Sequence, residues 1–546
     1  MRFKILFKKH WPLLILLVVF GWLFFNLLSS HMLEEKADGL YSGGSTWGDL
    51  AFHLSLISGI KERGTEALGA HPVYIGEQLR YPFLSDAIVA VLEKMGIGLR
   101  ASLIWPSFIF LMVLIILLYF LVLKITHSRV GAILAPFLFF FNGSTFSLHY
   151  FWQDFKASGM SLLSFLGKMT KEYGHLTDYK INFSNIIADY ILPQRAIILG
   201  LLVGVAAVYL LWLYWEGKEK KKLFYAGLLV GILPIIHTHT FMSLIFVAGF
   251  LVLIELIQNF KNFKKIILNW IWFALPVLIL ALPQVLWLYP SASENFMKFG
   301  FGWMKDDQNV FWFWLRNLGL YLAAIIIGYI FARPKLKTFY LAFLGLFLIS
   351  NIIIFQPHVY DNMKIMLWWF MLSVVLIADW VGGIVKKMGK PGYLAVILIF
   401  CVLIPTGFLS VFRESYVSWR MFSNEDINLA EFVMKNTSKD AIFLTSDKHN
   451  GPIPCFTGRR ILMGYRGWLW THGIDYRQRE ADVINMYEGN DKSLDLIKKY
   501  GVDYVLIEQD KISDFHINQG FFISNPEQFS LAYQSPNYLV FEVMTK

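Results

Sequence analysis

The sequence predicts a polytopic α-helical membrane protein of about eleven transmembrane helices, with a small extracytoplasmic α/β domain at its C-terminus. Three observations predict it. Of 546 residues, 56% are apolar and only 16% are charged, too few charges to cover a soluble surface of that size. Apolar runs of near 20 residues recur, the length that crosses a hydrocarbon core of about 30 Å. Basic residues gather in short links between these runs, as cytoplasmic loops require. The net charge of +10 is thereby explained without a nucleic-acid partner.

The spans read as 11–29, 101–124, 128–145, 196–215, 224–238, 240–258, 266–289, 316–332, 338–355, 364–384 and 392–411. The first follows Arg2, Lys4, Lys8 and Lys9 and lacks a small-residue cleavage site after it, so it is an uncleaved span rather than a signal peptide. With eleven spans, the basic links Lys124–Arg129, Lys218–Lys222, Lys261–Lys265, Arg333–Lys337 and Lys386–Lys390 fall on the same side as the N-terminus, the cytoplasmic one. The protein is then a multi-pass plasma-membrane protein whose long loops, 30–100 and 142–195, and whose C-terminal tail lie outside. The apolar stretch Phe224–Leu256 has lysines at both ends and must cross twice. Its reversal falls at PIIHTHT, where freed backbone groups need protein or water rather than lipid. Of the thirteen histidines, all but His10 and His127 then fall outside. Chemistry or binding at that face is one reading of this excess. The tolerance of histidine for interfaces is the other.

The outer segments carry the candidate residues. In loop 30–100, TWGDLAFH starts an amphipathic helix with Leu50, Leu54 and Ile57 on one face and Asp49 and His53, four apart, on another. Asp49 sits near the helix N-terminus, where negative charge is favoured. Glu77 and Arg80 lie on the irregular approach to a second short helix, Leu84–Met95. Loop 142–195 offers His149, Gln153, Asp154 and Lys156, then LPQRA, with Arg195 where the next span begins. An arginine there can snorkel to lipid phosphate or clamp the phosphate of a bound lipid substrate. His237 and His239 mark the reversal. FQPHVYDNMK holds His358 and Lys364 rigidly between two spans, and Arg413 follows the last span.

From residue 412 the composition changes and long apolar runs end, giving two domains, 1–411 and 412–546. AIFLTS, GVDYVLIE and YLVFEV read as strands and the region from Asp491 as a helix, enough for one small α/β domain. Between the first elements lies Ser446–Gly473, rich in Gly, Pro and aromatics among polar donors. Such a surface suits sugar faces, headgroups or docking. Cys401 lies in an apolar run, so a disulfide with Cys455 is not expected. P-loop, paired CxxC, HExxH and GxGxxG motifs are absent, which removes support for the classes they mark.

An acidic residue in a long first outer loop, two short helices in that loop and an outer C-terminal domain resemble the GT-C superfamily of integral-membrane glycosyltransferases. The stretches GDLAFH, YPFL, LPQRA and HNGPIPCFTGRRILMGYRGWLWTHG are similar to a bacterial and archaeal branch of it. The resemblance implies transfer of a sugar from a polyprenyl-phosphate or polyprenyl-diphosphate carrier to a glycan, lipid or protein acceptor outside the cytoplasm. It implies that Asp49 is the general base on the acceptor hydroxyl. Some branches add an acidic residue in the second outer loop, where Asp154 is the match. Where other members carry two adjacent acidic residues, this chain has Gly48–Asp49.

The chemistry fits these residues. The acceptor hydroxyl needs a base in the transition state, Asp49, with His53 orienting or replacing it. The departing lipid phosphate needs positive charge or donors, from Arg195, Lys364, Arg413 and Arg80. Direct displacement would invert the anomeric centre. His237, His239 and His358 are expected to donate hydrogen bonds or to hold a divalent cation with Asp49 and Asp154; the metal ligands themselves stay unassigned. The rival readings are a transporter or flippase for a lipid-linked glycan, and a non-catalytic envelope assembly protein.

Overall fold

A computed structural model describes residues 2–288, 297–509 and 515–544. The chain forms two compact units. One comprises Met1–Ser30, Ile104–Trp287 and Asn295–Val417; the other comprises His31–Leu103, Leu288–Glu294 and Ser418–Lys546.

The first unit is helical and apolar. Among the described residues, six helices are long and apolar enough to cross a membrane: Trp11–His31, Leu99–Thr126, Arg195–Gly217, Thr238–Gln258, Phe260–Leu288 and Val359–Met388. Two bent pairs would each make one more, Val310–Leu318 with Leu320–Phe331 and Lys390–Leu403 with Pro405–Glu414. The expected helical membrane architecture is present, with six to eight such spans rather than eleven. The other three expected spans lie on helices of 12, 12 and 17 residues, Arg129–Phe140, Lys220–Gly231 and Pro334–Ser350. At 1.5 Å per residue a twelve-residue helix reaches about 18 Å, short of a full crossing. Hydropathy windows ran through the turns that end them.

The bends have local causes. Pro405 opens its helix after the break at Ile404. At the 96° bend, Gly319 takes φ +56°, and a Cβ there would stand 2.1 Å from Thr145 Oγ1. That hydroxyl instead accepts the Leu320 backbone N–H at 3.0 Å. Buried charge is kept to helix ends. Glu255 accepts from Trp270 Nε1 at 3.0 Å and pairs with Lys218 at 3.1 Å.

The second unit is α/β. A five-stranded sheet runs in the order Arg460–Ile461, Ile442–Leu444, Tyr504–Glu508, Tyr538–Val543, Phe529–Gln534. The first three strands are parallel, and Tyr538–Val543 is antiparallel to both its neighbours. A second sheet pairs Glu34–Lys36 with Gly39–Ser42, and Gly39–Ser42 with Trp419–Ser423. Residues at the start and end of the sequence therefore share one sheet.

The Thr46–Arg63 helix lies inside this unit. The expected amphipathic pattern is overridden: every residue from Leu50 to Ile60 is buried, His53 included. The reason is that two partners cover it. Ser58 Oγ donates to Cys455 O at 2.6 Å in the Ile453–Thr457 turn, and Lys61 pairs with Glu93 of the Leu84–Lys94 helix at 2.8 Å. Gly458, at φ +64°, brings its backbone against the same helix; a Cβ would stand 2.6 Å from Ser58 O. Both cysteines are free thiols.

Candidate functional site

The expected site residues divide between the two units. In the α/β unit, Asp49 occupies the first turn of the Thr46–Arg63 helix and is half-buried. One turn on, His53 Nδ1 meets Asp86 Oδ2 at 2.8 Å, with side-chain exposures of 3% and 0%. Asp86 belongs to the first turn of the Leu84–Lys94 helix. A carboxylate on Nδ1 orients the ring and sets its tautomer. Glu77 is exposed, and Arg80 is half-buried.

Aromatic rings crowd around this pair. Phe52 lies 5.0 Å from Tyr81, 5.5 Å from Trp468 and 4.9 Å from His472 by ring centroids. His71 Nε2 and His472 Nδ1 share a hydrogen bond of 3.0 Å. Burial lowers the pKa of both, that of His472 to about 4, so one neutral ring donates to the other. Nearby, the Trp47 and His449 rings meet at 4.2 Å between centroids, tilted by 59°. The Ser446–Gly473 segment thus lines the first-loop helix with its aromatics.

In the membrane unit, four of the expected residues come together. His237 caps the Thr238–Gln258 helix: its Nδ1 accepts from the Thr240 backbone N–H at 3.3 Å. The proton of the neutral ring is therefore on Nε2, which is buried and has no hydrogen-bond partner among the described residues. His239 lies beside it, rings 5.3 Å apart, and its Nε2 contacts Gln356 Oε1. The amide nitrogen of Gln356 is also buried without a partner among the described residues. Lys364, buried, pairs with Asp361 at 2.8 Å, and His358 approaches the same carboxylate at 3.5 Å. Arg195 opens its helix and is only 4% exposed, which does not suit snorkelling to a lipid surface.

Asp154 and Arg413 sit in a different neighbourhood. Asp154 takes Lys171 Nζ at 2.9 Å and the Tyr173 hydroxyl at 2.8 Å. Arg413 donates through Nε to Thr170 O at 3.0 Å and pairs with Glu414 at 2.8 Å. Both tie down the loop that follows the Ser147–Ser158 helix.

No family model and no curated protein matches the sequence. Solved structures do match its architecture. The oligosaccharyltransferase of Archaeoglobus fulgidus, tethered to an acceptor peptide, aligns over 92% of this chain and 69% of its own, with a TM-score of 0.53 and 11% identity. The archaeal oligosaccharyltransferase AglB from Archaeoglobus fulgidus, in complex with an inhibitory peptide and a dolichol-phosphate, aligns over 92% and 70%, with a TM-score of 0.56 and 13% identity. The chain has the GT-C fold.

The sequence pattern did not single out Asp86, Gln356 or a further trio. Glu172, His175 and Asp189 each offer a ligand atom, all within 4.8 Å of one another. They are the one such trio among the described residues, and they include none of the residues expected to hold a cation. Burial and the neighbouring Asp189 push the Glu172 carboxyl well above its usual range. The Glu-x-x-His spacing at 172–175 was a signal for this trio. Nothing in the sequence announced that Asp189 would join it.

Proposed function

We propose that the protein is a glycosyltransferase that moves a sugar from a polyprenyl-phosphate-linked donor to an extracytoplasmic glycan, lipid or protein acceptor. The observation that carries this reading is the GT-C fold, aligned over 92% of the chain with an enzyme whose structure holds dolichol-phosphate. The membrane unit supports it with chemistry suited to a phosphate. His237 Nε2–H and the Gln356 amide are buried donors without partners among the described residues, in a cluster with Lys364. Buried donors of this kind cost stability unless something accepts from them. A lipid phosphate would, and it would gain charge as the sugar leaves. Arg195 at a helix N-terminus adds a cation where the helix dipole already favours an anion.

Asp49 is the proposed base for the acceptor hydroxyl. His53, one turn along the same helix and held by Asp86, is the proposed positioning group for Asp49. Asp154 and Arg413 are assigned a different task from the one their sequence positions suggested. Their charges are engaged with Lys171, Tyr173 and Glu414, so they secure the loop rather than meet substrate. Direct displacement at the anomeric carbon inverts it.

Membranes containing the wild type or Asp49→Asn would be supplied with radiolabelled polyprenyl-phosphate sugars, and label in lipids, glycans and proteins counted. Transfer by the wild type, with loss of at least about 100-fold in the folded variant, is expected for a general base. Equal transfer by both would sink the Asp49 assignment. No transfer from any donor of the panel would count against the glycosyltransferase reading.

A further inference from the structure

We infer that the crevice where the parallel strands of the α/β unit end is a carbohydrate-binding subsite, holding one sugar ring of a glycan acceptor beside Asp49. Calling the sugar an acceptor rests on the glycosyltransferase reading; the sugar chemistry rests on the α/β unit alone. One observation is topology. The central strand Ile442–Leu444 is followed by Arg460–Ile461 on one side and then by Tyr504–Glu508 on the other, all three parallel. Connections that leave a strand in opposite directions open a crevice at the carboxyl ends, where ligands bind in such sheets. Polar side chains are buried there. Thr445, Ser446 and Asp447 follow the central strand, and Glu508 ends its neighbour. Thr445 Oγ1 is closed off from solvent and has no hydrogen-bond partner among the described residues. Buried polar atoms without partners are few in native proteins, and each calls for a ligand or a water.

A second, independent observation is the ring cluster at the same strand ends. His449 lies 4.2 Å from Trp47, 5.9 Å from Tyr465 and 6.4 Å from Trp468 by ring centroids, and Tyr465 meets Trp468 at 5.4 Å. Tyr465 is 42% exposed, so the cluster opens to solvent on that side. The apolar face of a pyranose packs on such rings, and its hydroxyls need a few fixed polar groups at the rim. Those groups are present. Arg466 Nε meets Asp447 Oδ2 at 2.8 Å and Arg466 Nη1 meets Glu480 Oε1 at 2.9 Å, a row of planar groups that hold one another in place. Burial lowers the pKa of His449, and the neutral ring hydrogen-bonds the Trp47 backbone. Its Nε2 is buried with no partner among the described residues, so that bond falls to Nδ1–H and Nε2 is left as an acceptor for a sugar hydroxyl. The exposed Tyr465 side chain, in contact with this ring, is the one free to move aside for it. Buried carboxylates at Asp447 and Glu508 suit hydroxyl donors and disfavour an anionic headgroup. Trp47 stands two residues before Asp49 on the same helix. A sugar held on this cluster thus lies next to the helix turn that carries the proposed base.

The test uses full-length protein in an amine-oxide detergent, which carries no sugar headgroup. Methyl α- and β-glycosides of glucose, galactose, mannose and N-acetylglucosamine are titrated by saturation-transfer NMR and by tryptophan fluorescence. Saturable binding of at least one glycoside is expected. It should weaken at least about tenfold in Tyr465→Ala and His449→Phe, and by less than about twofold in Tyr465→Phe, which keeps the ring. No saturable binding by the wild type, or equal binding by wild type and folded Tyr465→Ala, overturns the proposal. Tyr465-dependent binding of phosphocholine or of a Ser/Thr-rich hexapeptide in place of every glycoside also overturns it, because the crevice is then a headgroup or peptide site. Should the variants not fold, the wild type is photolabelled with diazirine derivatives of the same glycosides, and the adducts are mapped by mass spectrometry. Adducts at Trp47 or within 446–473 are expected, and adducts only elsewhere overturn the assignment. Neither readout involves a lipid-linked donor. Failure here leaves the proposed function standing with a lipid or protein acceptor, whereas failure of the transfer assay leaves glycoside binding and withdraws only its role in the reaction.

Discussion

Asp86 has 0% side-chain exposure, and its partner His53 is nearly as enclosed. Removing one member of such a pair leaves the other buried and unsatisfied. Asp86→Ala should therefore cost roughly 3 kcal/mol, read as a lowered midpoint in thermal or denaturant unfolding. A shift below about 0.5 kcal/mol would mean the pair contributes nothing. His237 tests the donor cluster. If its Nε2–H serves a phosphate oxygen that gains charge as the sugar leaves, His237→Ala should lower kcat/KM for the donor about tenfold or more, chiefly through kcat. The His71–His472 pair gives a pH dependence. Both folded-state pKa values are depressed, so the unfolded chain takes up protons first as pH falls below about 6.5. Stability should fall from there down to about 4, the value for His472, by at most about 1.4 kcal/mol per pH unit for each histidine. Tryptophan fluorescence melts at pH 7.5 and pH 5 would measure it, and His472→Phe should flatten the difference.

At the scale of elements, the Thr46–Arg63 helix is the best case of a correct assignment with the wrong surroundings. Its start near Trp47 was readable from apolar spacing, and so was the Leu84–Lys94 helix. Its second buried face was not, because Ser55 and Ser58 are polar and their partner Cys455 lies some 400 positions away. Gly458 shows how tight that approach is. Gly458→Ala would place a methyl 2.6 Å from Ser58 O in a left-handed backbone, and should destabilise the protein by about 2 kcal/mol or more. The short helices Arg129–Phe140 and Lys220–Gly231 teach the opposite lesson. Hydropathy sees apolar residues on both sides of a turn and reports one long span. The bend at Gly319 escaped notice because its stabilising partner, Thr145, lies far off in sequence.

For the whole molecule, the charge pattern makes a prediction about sidedness. If the lysine-rich links are cytoplasmic, Lys221→Cys in a background without native cysteines should resist an impermeant maleimide in intact cells, while Ser161→Cys should react. The reverse labelling would overturn the orientation and, with it, an extracytoplasmic acceptor.

The sequence alone determined that this is a helical membrane protein with an α/β C-terminal region, since apolar run length and charge placement follow from what a bilayer tolerates. It also picked out His237, His239, His358 and Lys364, because polar residues beside spans are few. Only the tertiary structure decided what each of these touches. His53 turns to Asp86, Asp154 turns to Lys171 and Tyr173, and Asp189 joins Glu172 and His175. Partners are chosen by packing between segments distant in sequence, and no local pattern records which buried carboxylate will meet which imidazole.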